Sequence, residues 1–89
     1  MGQAAVDALR MARQQPEVNR AFGEVLRDYR THQGLTQEAL AAACELHVTY
    51  ISQLERGLKS PSLTTLLLLA RALNVRASEL VQAAEQAVG

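Results

Sequence analysis

The chain has no tryptophan, only three aromatic residues and two prolines in 89 positions. Strands draw on aromatic and β-branched side chains. Here leucine and alanine dominate an apolar fraction of 48%, and no stretch alternates with period two. An all-α domain of short helices follows. A single cysteine, Cys44, excludes an intrachain disulfide and fits a reducing interior. The uncharged hydrophobic runs, Leu66 to Ala70 among them, are far too short to cross a membrane. The N-terminal ten residues lack the basic start and apolar core of a signal peptide. Val6 stands where a myristoylation signal wants serine or threonine. A cytoplasmic protein with no membrane partner is expected. Charge of one sign is also missing: nine basic residues balance nine acidic ones. That balance counts mildly against a nucleic-acid partner, although the distribution over one face matters more than the sum.

The length suits one domain with a modest core. Residues 3–14 read as a weak helix, with Val6, Leu9 and Met11 set among Asp7, Arg10 and Arg13. From residue 17 to 31, Val18, Phe22, Val25, Leu26 and Tyr29 share a face, and Gly34 ends the helix in the left-handed conformation. Thr36 is a good N-cap for a helix at 37–44, with Glu38 in its first turn and Leu40, Ala39, Ala43 and Cys44 inward. A third helix, 47–56, is closed by Gly57. Ser60-Pro61 reads as an N-cap followed by a first-turn proline. It opens a helix at 62–73 with Leu63, Leu66, Leu67, Ala70 and Leu73 inward, ended by Asn74. A last helix, 77–88, is apolar at Leu80, Val81, Ala84 and Val88. Residues 1–16 are thus an N-terminal extension, and 17–89 a single domain with no internal repeat.

The stretch HVTYISQLERG, His47 to Gly57, is unusual for a surface helix. Ile51 and Leu54 point one way, whereas Val48, Thr49, Ser52 and Gln53 leave an outward face that is small, uncharged and hydrogen-bonding. Two short helices joined by a tight turn outline a helix-turn-helix. The segment from Leu35 to Val75 resembles the Cro/C1-type (XRE, phage-repressor-like) DNA-binding domain. The resemblance is carried by Leu35-Thr36-Gln37, by Ile51-Ser52-Gln53-Leu54-Glu55-Arg56-Gly57, and by Pro61-Ser62 with Leu66. It covers roughly residues 20–82.

The resemblance implies a lambda-repressor-like bundle of five helices, here with a short N-terminal helix added. It also implies that helix 47–56 enters the major groove. Val48, Thr49, Ser52 and Gln53 would then meet base edges; a glutamine pairs bidentately with adenine, and a valine can touch a thymine methyl. Gln37, His47, Arg56, Lys59 and Ser60 would hold phosphates, which orient the domain without reading sequence. Arg30 and Glu55 match a structural ion pair of the family. Two positions depart from the pattern. Glu45 replaces the usual turn glycine, at about 1 kcal/mol if its φ is positive, and His47 replaces a serine or threonine N-cap. From Gly34 to Ser60 three acidic residues face two basic ones; Arg10, Arg13, Arg20 and Arg27 compensate if the N-terminal segment lies beside the duplex.

Each feature also has a plainer explanation. The outward face could be an ordinary solvated one. Cys44 and His47 are three apart, but zinc needs three or four ligands, so a core thiol is the better reading and neither metal nor cofactor is expected. Ser52 near His47 or His32 lacks an oxyanion hole and an orienting acid, which argues against an enzyme. Four consecutive leucines, Leu66 to Leu69, cannot all face one core. Leu68, with Leu80, Val81, Ala84 and Val88, is therefore the expected homodimer interface, in keeping with the family's use of its C-terminal helices; otherwise residues 1–16 fold back and cover it. The reading is a sequence-specific regulator, a repressor that binds double-stranded DNA as a homodimer on a pseudo-palindrome. The alternatives are an antitoxin or restriction–modification controller with a protein partner, or an interaction module on this fold that has lost DNA binding.

Overall fold

The computed structural model describes residues 2–89, which form six helices and no strand. In order they are α1 (Gln3–Arg13), α2 (Gln15–His32), α3 (Gln37–Cys44), α4 (Val48–Glu55), α5 (Leu63–Ala72) and α6 (Ala77–Val88). The bundle has one core. Phe22 and Leu26 of α2, Leu40 and Cys44 of α3, Ile51 and Leu54 of α4, Leu69 and Leu73 from α5 and its end, and Leu80 of α6 converge in it. α2 is the central element, packed against both α4 and α6, while α3 packs on α4 and α5.

Helices this short are marginal alone in water and depend on their ends and on packing. Four of them end the same way. The residues after the helix, Gly34, Glu45, Gly57 and Asn74, take left-handed φ of 73°, 54°, 74° and 56°. The following N–H groups, of Leu35, Leu46, Leu58 and Val75, reach back to the carbonyls of Arg30, Ala41, Gln53 and Ala70 at 2.9–3.1 Å. This is the Schellman arrangement with an apolar residue after the turn. Leu35, Leu46 and Val75 pack against the core. Three chain reversals are thereby encoded locally, and Gly57 closes α4. The expected roles of Gly34 and Asn74 hold. So does that of Thr36, whose hydroxyl accepts the Ala39 N–H at 3.0 Å.

Other expectations need correction. Ser62 caps α5, its Oγ accepting from the Thr65 N–H at 3.1 Å, and Pro61 precedes the cap instead of following it. Along α5 the buried stripe is Thr65, Leu69, Ala70 and Leu73 with Leu66 half-buried, whereas Leu63 and Leu67 are 72% and 53% exposed. Both leucine stripes have helical spacing; docking against α3 and α6 selects between them. In α3 the buried alanine is Ala41, not Ala39 or Ala43, which are exposed. Cys44 is buried, its Sγ 3.6 Å from the Leu68 carbonyl, and burial raises its thiol pKa. Every described residue of the 3–13 helix is exposed, so the N-terminal segment does not bury itself on the body; its end borders the groove beside Val81 and Val88 through Met11.

Candidate nucleic-acid interface

α4 is positioned from within by Ile51 and Leu54, both fully buried. That leaves Thr49 and Val48 exposed, Val48 by 38%, with Ser52 and Gln53 half-buried beside them. Tyr50 turns its ring toward the core. The four residues singled out from sequence therefore do share the outer side of one helix. At its start, His47 is extended (φ −73°, ψ 140°) and its side chain accepts no capping hydrogen bond. Of the first-turn N–H groups, that of Tyr50 donates to the His47 carbonyl at 3.0 Å, which leaves those of Val48 and Thr49 to an anion. Arg56, Lys59 and Ser60 follow as exposed residues.

The far end of α4 is tied down by charge. Arg30 Nε donates to Glu55 Oε2 at 2.5 Å and its Nη2 to Oε1 at 3.0 Å, while Nη1 donates to the Leu35 carbonyl at 2.7 Å. Gln37 adds a third donor to the carboxylate, at 3.0 Å to Oε1. Both charged side chains are nearly buried, 11% and 3% exposed. The hydrogen bond that Arg30 donates to Glu55 raises its pKa against the opposing effect of burial, so the guanidinium stays charged. One fork thus joins α2, the 33–36 turn, the start of α3 and the end of α4. It also fixes the Gln37 side chain, with one amide N–H committed to Glu55. Removing Glu55 from the outward charge leaves Glu38 and Glu45 balanced by Arg56 and Lys59 on the surface between residues 34 and 60.

Two glycines complete the placement. Gly23 lies where α2 crosses the end of α4: a Cβ there would collide with the carbonyl oxygens of Leu54 and Glu55, the latter at 2.5 Å. A Cβ on Gly57 would stand 2.7 Å from the Arg20 Cα. Sequence reasoning missed Gly23; the available signal was a glycine inside an otherwise regular helix, which is tolerated only for a packing reason. Arg20 itself lines a depression with Glu17 and Glu24, among acidic neighbours. Glu45 adopts the positive φ that a glycine would take more easily.

The C-terminal residues divide. Leu80 is fully buried in the core of its own chain and Ala84 nearly so, at 9% exposed. Leu80 cannot line a contact with another copy, because the α2–α6 packing already encloses it. Leu68 and Val81 are exposed by 40% and 42%, and Val88 is half-buried.

This geometry matches known proteins. A helix-turn-helix family model covers residues 26–80. The control protein C.SmaI of Serratia marcescens is 38% identical over 65 residues, 73% of this chain and 77% of that protein. The crystal structure of the restriction–modification controller C.AhdI from Aeromonas hydrophila superposes with a TM-score of 0.69 at 42% identity, over 70% of this chain and 94% of that one. The controller C.Esp1396I, solved as a tetramer with its natural 35 base-pair operator, superposes with a TM-score of 0.71 at 27% identity, over 80% of this chain and 93% of that one. Motif, fold and site geometry agree: the chain belongs to the Cro/C1-type helix-turn-helix family of DNA-binding transcriptional regulators.

Proposed function

We propose that this chain is a cytoplasmic, sequence-specific operator-binding protein that acts as a homodimer, with α4 seated in the major groove. The observation that carries this reading is the outer side of α4. Val48, Thr49, Ser52 and Gln53 form an uncharged hydrogen-bonding surface on a helix held along its inner face and at its C-terminal end. Such a surface suits base edges, where the groups are desolvated only against matching partners. Gln37, His47, Arg56, Lys59 and Ser60 flank it as phosphate contacts. Gln37 presents its remaining N–H from an orientation set by Glu55. Leu68, Val81 and Val88 supply apolar surface for the second copy. Regulation is by occupancy of the operator, and the relatives named above favour control of a restriction–modification system.

Selection of bound sequences from a random duplex pool, at low and at physiological salt, tests the proposal. A recovered pseudo-palindrome with half-sites about one helical turn apart (roughly 34 Å) is expected, its binding falling steeply with salt. Absence of enrichment at both salts would exclude a DNA reader and turn the α4 surface into a candidate protein-binding face.

A further inference from the structure

α1 is an amphipathic helix that meets its own chain only along the side and end carrying Asp7, Arg10 and Met11. At 3.6 residues per turn, Ala4, Ala5, Ala8, Leu9, Met11 and Ala12 fall on one side; Gln3, Asp7, Arg10 and Arg13, with Val6 among them, fall on the other. All are exposed, Leu9 by 47% and Met11 by 50%. Eleven residues is too short for a stable isolated helix in water, so its apolar side calls for cover. Directly beside its end the body carries an apolar groove of about 350 Å³, lined by Met11, Val18, Phe22, Leu66, Val81 and Val88. The groove is open, and Met11 makes it continuous with the uncovered side of α1.

We propose that the groove receives α1 of a second copy of this chain, in a reciprocal two-fold exchange. A two-fold contact uses the same surface on both copies, and here each chain owns both the helix and the groove that a partner needs. Charge agrees: Arg13 lies free on α1, and Glu85 stands on the groove wall, where Arg10 of its own chain also borders it. Size agrees as well. A helix of this length is about 16 Å long and about 10 Å across. Burying half its curved surface and the matching groove, twice over, removes roughly 1,000 Å² from water, the lower bound for a specific interface. The proposal rests on the homodimer reading above and names the element that completes the dimer.

The test uses the full chain. Sedimentation equilibrium of the wild type and of Ala8→Glu and Leu9→Glu is compared; neither residue is buried in its own chain, so both variants keep the helical circular-dichroism signal and melting of the body. A dimer dissociation constant raised tenfold or more is expected for each. Arg13→Glu weakens the dimer and Glu85→Arg in the same chain restores it. In a Cys44→Ala background, mixed Leu9→Cys and Val81→Cys chains form a disulfide between copies on oxidation. A wild-type dimer that both α1 variants retain, with operator binding intact, overturns the exchange and leaves the regulator reading standing. An intrachain disulfide in the Leu9→Cys/Val81→Cys double variant at dilutions where the chain is monomeric overturns it too, since the groove would then take its own helix. Loss of operator enrichment by the wild type is a separate failure, that of the regulator reading.

Discussion

α4 and α1 both offer solvent a side that their own chain leaves uncovered, yet they are built in opposite ways. α4 is anchored by two fully buried side chains, a Schellman turn at Gly57 and a three-donor cluster on Glu55. Its free side is hydrogen-bonding. α1 has no buried residue and no capping side chain, and its free side is apolar. The comparison separates two meanings of exposure. Hydrogen-bonding groups on a rigid helix are at ease in water and can exchange it for bases with little loss. Apolar groups on a helix that needs packing to persist are at ease only against another apolar surface.

The largest break in the comparison comes from the cluster that holds α4. Arg30→Ala leaves the Glu55 carboxylate buried without its partner and is expected to lower unfolding free energy by about 3–5 kcal/mol, read by urea denaturation. Replacing both, as Arg30→Met with Glu55→Leu, is expected to recover most of that loss, since no uncompensated charge remains. Gly23→Ala comes next. The added methyl meets backbone, which cannot swing aside, so α2 and α4 must separate at a cost of about 1–3 kcal/mol. The same denaturation series would show it, accompanied by weaker operator binding.

Gln53→Ala sharpens the contrast instead. It is expected to keep the melting temperature and to lose about 1–3 kcal/mol of discrimination at one base pair, measured by competition between operators differing there. Lys59→Ala is the control: binding weakens alike on all sequences, and the slope of log affinity against log salt becomes shallower by about one unit. Glu45→Gly relieves a side chain held at φ 54° and is expected to stabilise by about 1 kcal/mol. Smallest of all, Leu9→Glu at concentrations where the chain is monomeric should shift unfolding by less than about 0.5 kcal/mol. A larger shift would mean that α1 belongs to the body after all.

Much of this was legible in the residues. Gly34, Thr36, Gly57 and Asn74 mark helix ends because a left-handed residue or a side-chain acceptor acts within one turn of itself. The outward set on α4 was legible because Ile51 and Leu54 leave only one way to seat an eight-residue helix. Arg30 with Glu55 was found through the family pattern, since nothing local connects residues 25 positions apart. What was misplaced was of another kind. Ser60-Pro61 carries a cap signal, but Ser62 does so too, and the chain used the second. Leu63 and Leu67 fit a helical stripe as well as Leu69 does. Leu80 looked like surface until α2 was laid across it.

Local chemistry, then, dictated where the helices start and stop and which chemical groups α4 holds out, because capping and periodicity act over a few residues. Assembly decided which of two equally spaced leucine stripes went inward, that Gly23 had to be bare, that Glu55 would be hidden from the surface charge, and that α1 would be left without cover. Those outcomes depend on where distant helices come to rest, and burial is a property of the pair, not of either sequence segment alone.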